Sequence, residues 1–472
     1  MSYEFLINGE FTHHTDKTYD VLAPVDQSLI ASIPDASEED VNQAVSAAKE
    51  AYYGGWRLAE GAERQALMLK WADLVEARSE EISQAVSREV GADAAGWKGE
   101  CFYAASMIRF YAGLAVLNYG DVLSMGDDHV NYVMQEPLGV CGLMPPWNSP
   151  LQSPIQKMGP ALAAGNTVVV RPPEEAPIGA LMLVKAAHDA GFPKGVVNAI
   201  VGQGPVSGTA LVEHPDVRLI SFTGSVPTGK AIASACARQM KRYVMELGGK
   251  SPVIVFDDAD LEKALEESVA FAYAFQGQIC CANTRILIQR SIFDSFKERL
   301  VEKVKAYQGG IENSTQPVGP LFNKKVFDAV TAYTQIAKND GTILCGGEPY
   351  QEENGYYFKP TVVEFEDDSS RVCKEEIFGP LLALIPFDTE EEATAIANNV
   401  NYGLASTVYS ADRGRIFRVV RRLEAGTVWA NAGFKFNIHM PWGGPKDTGQ
   451  GREFGKYALK PYLEEKNVWL CS

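Results

Sequence analysis

A thiol on a loop is the first group in this sequence able to do covalent chemistry. The stretch Phe275-Gln276-Gly277-Gln278-Ile279-Cys280-Cys281 closes a predicted helix over Leu261–Gln276 and precedes a predicted strand over Arg285–Gln289. A cysteine placed there can be exposed as a thiolate nucleophile if a helix end, a cation or hydrogen-bond donors stand nearby. Taken alone, the stretch reads first as a buried structural thiol, the commoner fate of cysteine. Neither a CxxC partner nor an HxxxH helix stands near Cys280 and Cys281, so the spacing gives no metal site. Two glycine-rich runs could instead cradle phosphate. Gly224 to Lys230 mimics a GxxxxGK loop, but Ala231 stands where that loop needs a magnesium-binding Ser or Thr. Gly202 to Gly208 resembles a dinucleotide fingerprint with one residue too many.

The elements that must hold these groups follow from periodicity. Asn166–Val170, Val196–Val201, Arg218–Thr223 and Pro252–Phe256 read as buried strands, with helical segments such as Ile178–Ala190 between them. This alternation is the sign of βαβ units on a mostly parallel sheet. The first third is helix-rich, with helices predicted over Glu38–Tyr53 and Glu63–Val90 and Gly91 as a C-terminal cap. A second alternating block follows Asp260, with helices at Leu261–Gln276, Ile292–Tyr307 and Asn323–Lys338 and strands at Leu381–Pro386 and Thr427–Ala430. Between Tyr119 and Leu138 two strands around Gly126, Asp127 and Asp128 make a projecting hairpin.

At 472 residues the chain is long enough for two or three domains with their own cores. A net charge of −17 makes a phosphate backbone an unfavourable partner, so nucleic acid is not expected. Neither a membrane-length apolar run nor a secretory leader is legible, and the eight scattered cysteines are expected to be reduced thiols, so the protein is expected in the cytoplasm.

Five segments in order carry a more specific signal. They are Pro146-Trp147-Asn148, Phe222-Thr223-Gly224-Ser225, Met245-Glu246-Leu247-Gly248-Gly249-Lys250, the Cys280 stretch, and Glu376-Ile377-Phe378-Gly379-Pro380. Together they resemble the motif set of the NAD(P)-dependent aldehyde dehydrogenase superfamily, in its hydrolytic form, over nearly the whole chain. The resemblance implies an α/β fold with a Rossmann-type cofactor domain (1–118 and 138–247), a second α/β catalytic domain (248–448) and a small β oligomerisation element (119–137 and 449–472). It implies NAD as cofactor, with NADP possible, a small-molecule aldehyde as substrate, and a homodimer or homotetramer. It makes Cys280 the nucleophile, Asn148 the oxyanion donor, Glu246 the base that activates water, and Lys157 with Glu453 a proton-passing pair. Trp147, Gly224, Ser225, Leu247, Glu376 and Phe378 become cofactor contacts, with pyrophosphate at a helix N-terminus.

Three places depart from the pattern or refine it. Arg171 stands where the family usually has a ribose-binding Lys; its guanidinium could take a 2′-phosphate, whereas Glu174 would accept ribose hydroxyls and repel that phosphate, which favours NAD. Ser149, Gln152 and Gln156 fall in the expected substrate tunnel with Cys281, and Phe436, His439 and Trp442 on its other wall; the glutamines, at i and i+4, favour a polar aldehyde or semialdehyde if they face inward rather than solvent. Phe275 replaces a residue that is often Asn. Two other readings stay open: an acylating relative that passes the acyl group to coenzyme A, against which the presence of Glu246 counts, and a non-catalytic binding or structural member, against which Cys280 and Asn148 count.

Overall fold

A computed structural model describes residues 3–117, 120–124, 129–306, 319–350 and 355–471. Five parallel strands form the centre of the first sheet: Val140–Met144, Thr167–Val170, Val197–Ala199, Val217–Thr223 and Arg242–Glu246. Their spatial order is third, second, first, fourth, fifth, so the chain reverses direction across the sheet between Val140–Met144 and Val217–Thr223. That order is the dinucleotide-binding one, and it opens a crevice beyond the carboxyl ends of those two strands. Val140–Met144 is buried along its whole length, as a strand covered on both faces must be. The short strands Phe5–Ile7 and Glu10–Thr12 extend one edge antiparallel, and Gly449–Gln450 closes the other against Arg242–Glu246.

The second sheet joins six parallel strands in the order Thr361–Glu364, Leu381–Phe387, Arg285–Gln289, Pro252–Val255, Ala405–Tyr409 and Thr427–Ala430, with Thr342–Cys345 antiparallel at one edge. The Pro252–Val255 strand sits well inside this sheet, so the second alternating block begins before Asp260 and not after it. A third sheet pairs the C-terminal Leu463–Cys471 strand with His129–Pro137, which also pairs with Val122–Ser124. The Tyr119 end of the expected hairpin and its Gly126–Asp128 turn lie outside the described residues, as does the Tyr307 end of the Phe293–Lys305 helix.

Two predicted helices are corrected. The Glu63–Val90 segment is two helices, Gly61–Ala77 and Ser79–Val90, broken at Arg78 (φ −101°, ψ 12°). The break lets both halves lie against the same partners, the helices Ala94–Ala115 and Ile178–Asp189. Gly91 caps the second half in the left-handed conformation, φ 71°. The Leu261–Gln276 segment ends as an α-helix at Tyr273, because Phe275, Gln276 and Gly277 all take positive φ (48°, 56° and 71°). Periodicity did not reveal the 22-residue Ala94–Ala115 helix, which carries Gly96, Gly99 and Gly113 and packs against three other helices.

Candidate active site

Both strands at the direction change end in segments that carry motifs. Val140–Met144 runs out into Pro145 to Ser149, and Val217–Thr223 into Gly224 and Ser225. These segments, the cysteine loop and Gly248 line one cleft of about 2110 Å³. Single small-molecule sites occupy roughly 300–1,000 Å³, so the space accommodates a nucleotide and a second ligand together.

Cys280 stands on its wall. Three consecutive left-handed residues turn the chain sharply out of the preceding helix and present the thiol half-exposed to the cleft. Gly277 is required there, since a Cβ would lie 2.5 Å from the Gly379 carbonyl oxygen. Left-handed backbone costs an L-residue about 1–2 kcal/mol, and Asn tolerates it better than most. Phe275 offsets that cost by packing its ring edge-on against Trp97 and tilted against Trp147, each at 6.0 Å. We expect Phe275→Asn to lower the thermal midpoint, because two aromatic contacts at about 0.5–1.5 kcal/mol each outweigh the relieved strain. A raised midpoint in a melting experiment would reverse that balance.

The buried Gln278 ties the loop down. Its side chain accepts from the Phe322 N–H at 2.9 Å, and its carbonyl accepts from Asn148 Nδ2 at 3.0 Å. One N–H of the Asn148 amide is thereby fixed, and the amide stands on the cleft wall beside the cysteine loop. Cys281 is fully buried; burial, with Cys280 beside it, holds its thiol well above the ordinary range. Both cysteines line the cleft, and Cys280 is the more exposed of the two.

Glu246 ends the Arg242–Glu246 strand and faces the same cleft. Neither carboxylate oxygen has a hydrogen-bond partner among the described residues. Its carboxyl is held well above the usual range first by burial and then by the nearby Glu453 carboxylate, while the Lys157 ammonium pulls the other way. Gly443 leaves room for it: a Cβ there would come within 2.3 Å of Glu246 Oε1. Lys157 does not line the cleft. It is fully buried behind Glu453, donating to Glu453 Oε1 at 2.7 Å, Thr223 Oγ1 at 2.8 Å and Ser221 Oγ at 3.2 Å. A surface ion pair is therefore not what these two residues make.

On the nucleotide side, the Val226–Arg238 helix begins at Ser225 with no side-chain cap, so the N–H groups of Val226 and Thr228, on either side of Pro227, stay free for an anion. The extra residue of the Gly202–Gly208 run is absorbed by a π-turn over Gly204–Gly208, away from the direction change. Arg171 is committed to this chain: its guanidinium donates to Glu174 at 2.5 Å, to the Gly202 carbonyl, and to Ser207 Oγ at 3.4 Å. Glu174 Oε2 also accepts from the Gly204 N–H at 3.2 Å, so both of these bonds use the same carboxylate oxygen. Leu247 lines the cleft beside Gly248, and Glu376 Oε1 accepts from the Gly249 N–H at 3.1 Å. Burial pushes the Glu376 carboxyl up to about 7. Trp147 stacks on Phe322 at 4.0 Å and meets Phe378 edge-on at 5.6 Å, a three-ring wall that includes one ring the motifs did not point to.

On the other side Ser149, Gln152, Gln156, Phe436 and Trp442 all line the cleft, so the two glutamines face inward and not to solvent. His439 is not among the lining residues and packs instead on Phe110 at 4.8 Å. Trp442 is fastened to Glu453 by paired backbone hydrogen bonds of 2.7 and 2.8 Å. Sequence reasoning missed Trp97 and Glu100 on the Ala94–Ala115 helix, and also Ser153 and Phe434. Ser153 follows Gln152 directly and was within reach; the other three needed the fold.

The molecule is an α/β protein built on two large sheets, whose dinucleotide-type crevice is lined by a half-exposed thiol, an amide and a buried carboxylate. It belongs to the aldehyde dehydrogenase family, whose profile matches residues 11–468. It is 40% identical over 477 residues to a 2-aminomuconic semialdehyde dehydrogenase of Danio rerio, covering 98% of this chain and 97% of that one. It is 37% identical to a betaine aldehyde dehydrogenase of Bacillus subtilis, covering 99% and 97%. Among solved structures, betaine aldehyde dehydrogenase from Staphylococcus aureus in complex with NAD+ superposes with a TM-score of 0.97 at 33% identity, covering 100% and 95%. Among the described residues no helix is long and apolar enough to cross a membrane.

Proposed function

We propose that this protein oxidises an aldehyde bearing a polar group to the carboxylic acid, with NAD, through a thioester on Cys280. The observation that carries the reading is that Cys280, Asn148 and Glu246 line one cleft, with Asn148 bonded to the cysteine loop and Glu246 close enough to Cys280 for their charges to interact. The Cys280 thiolate forms a bond to the aldehyde carbon, and the carbonyl oxygen takes the negative charge. The fixed Asn148 amide and the Cys280 N–H are donors placed for that oxygen. NAD, which the start of the Val226–Arg238 helix with Glu174 and Glu376 would hold, would supply the hydride acceptor that lets the carbonyl re-form as a thioester on Cys280. Water then gives a proton to the Glu246 carboxylate and attacks the thioester carbon; the C–S bond breaks and the acid leaves. Glu453, held by Lys157, stands next in line to receive the proton from Glu246.

The nucleotide side fits NAD in two respects: uncapped helix N–H groups for pyrophosphate, and carboxylates at Glu174 and Glu376 for ribose hydroxyls. Because Arg171 is spent on Glu174, it is not available to a 2′-phosphate, and the Glu174 carboxylate repels one. Catalytic efficiency is expected to be higher with NAD than with NADP, and Glu174→Gln to narrow the ratio by about tenfold. Steady-state kinetics favouring NADP in the unaltered protein would refute this.

The inward glutamines support a polar aldehyde, and the relatives named for 2-aminomuconic semialdehyde and betaine aldehyde are in keeping with it. A panel of polar and alkyl aldehydes assayed with NAD and NADP tests the reading; a strong preference for long unsubstituted alkanals would overturn it. We further assign 1–118 and 138–247 to a cofactor domain, 248–448 to a catalytic domain, and 119–137 with 449–472 to oligomerisation into a dimer or tetramer. The exposed apolar side chains Val122, Leu123, Trp469 and Leu470 on the third sheet support the last assignment.

A further inference from the structure

Glu100 is a carboxylate in the substrate half of the cleft that the mechanism does not use. It stands on the Ala94–Ala115 helix, where Asp93, Trp97 and Glu100 fall at i, i+4 and i+7 and so share a face; all three line the cleft. Gln152 Nε2 donates to Glu100 Oε2, which turns the amide toward the carboxylate and fixes it. Burial raises the Glu100 carboxyl, with only the Gln152 bond opposing it, and no Lys, Arg or His compensates its charge among the described residues. Ser153 Oγ is fully buried on the cleft wall and Trp97 Nε1 is a buried donor, and neither has a hydrogen-bond partner among the described residues.

The cations that line the cleft do not act on Glu100. Among the described lining residues they are Arg171, Arg238 and Lys325. Arg171 is paired with Glu174, Arg238 reaches Glu213 at 3.4 Å, and Lys325 acts on Glu175, all beside the nucleotide-side residues. The tunnel thus offers a substrate a partly buried negative charge, the glutamine carbonyl oxygens and the faces of Trp97, Phe436 and Trp442, but no cation of its own. A partly buried, uncompensated carboxylate is costly unless something positive completes it. Aromatic faces favour the same sign of charge.

We infer that Glu100 is a specificity-determining residue that receives a protonated amine at the far end of the substrate, so that the polar aldehyde is an amino-aldehyde. This rests on the polar-aldehyde reading above and narrows it: a semialdehyde carrying a carboxylate would meet Glu100 with like charge, and a hydroxy-aldehyde would leave the charge uncompensated.

The test compares kcat/KM for four aldehydes with NAD: 3-aminopropanal, its uncharged near-isostere butanal, 3-hydroxypropanal and succinic semialdehyde. The unaltered protein is expected to prefer 3-aminopropanal over butanal by about tenfold or more, carried chiefly by KM, because a charge-assisted hydrogen bond is lost in the analogue. Glu100→Gln should bring that ratio close to unity, and Glu100→Asp should restore part of it. Butanal or succinic semialdehyde preferred by the unaltered protein overturns the inference whether or not either variant folds, and a ratio untouched by Glu100→Gln overturns the assignment to this residue. If 3-hydroxypropanal is preferred over butanal but 3-aminopropanal is not, the polar reading stands and the amine falls. If butanal outruns all three polar aldehydes, both fall together.

Discussion

Cys280→Ala is expected to abolish steady-state aldehyde oxidation, by roughly 10⁴-fold or more. The size of the effect follows from what hydride departure requires. An aldehyde carbon gives up its hydrogen as hydride only when electron density from an attached nucleophile's oxyanion pushes it out. Without the carbon–sulfur bond the sole route is through the aldehyde hydrate, which lacks the covalent positioning Cys280 supplies. The neighbouring thiol does not rescue the reaction, because Cys281 is fully buried and its thiol is held well above the ordinary range. The substitution should leave the fold intact, since Cys280 is half-exposed at the cleft and the loop is held by Gln278 and Gly277. Unchanged quenching of protein fluorescence by NAD would show that the cleft persists while NADH formation does not. Turnover within tenfold of the unaltered protein would end the thioester mechanism.

How far the chemistry was legible in the sequence depended on which residue is asked about. Cys280 alone read as structural, and four other segments in order reversed that reading. The structure then brings Cys280, Asn148, Glu246 and Glu453 to one cleft from chain positions that spacing alone could not have joined. Periodicity placed the Glu38–Tyr53 helix and the Leu381–Phe387 strand, because the first buries one regular face and the second is buried throughout. It failed where local pattern and tertiary role part company. The Ala94–Ala115 helix has three glycines and apolar contacts on several sides, so no single stripe announced it, and Glu100 was hidden with it. The predicted Leu261–Gln276 helix overruns into the left-handed Phe275 and Gln276, because those residue types give no warning of positive φ. The role of Arg171 could not be read from its type, since a guanidinium suits a phosphate as well as a carboxylate. Only the position of Glu174, Gly202 and Ser207 around it decides between them.

Glu246→Gln should separate the two halves of the reaction. Carbon–sulfur bond formation and hydride departure do not need a base at Glu246 in this scheme, whereas attack by water does. Mixing the variant with NAD and aldehyde is therefore expected to give a burst of NADH close to one per site, followed by a steady rate slowed by about 10²–10⁴-fold. The pH dependence carries the sign of the carboxyl's environment. Burial and Glu453 hold the Glu246 carboxyl well above its ordinary value, so at lower pH it keeps its proton and cannot accept one from water. In the unaltered protein kcat should rise as pH climbs through that ionisation, and in the glutamine variant this rise should vanish while the burst remains. Lys157 lies on the opposing side of the balance, so Lys157→Met, which removes the ammonium behind Glu453, should move the rise to higher pH. A glutamine variant with undiminished kcat would remove Glu246 from hydrolysis altogether. One that loses the burst along with the steady rate would place it earlier, in drawing the proton from the Cys280 thiol, because only a group needed before the thioester forms can suppress both phases.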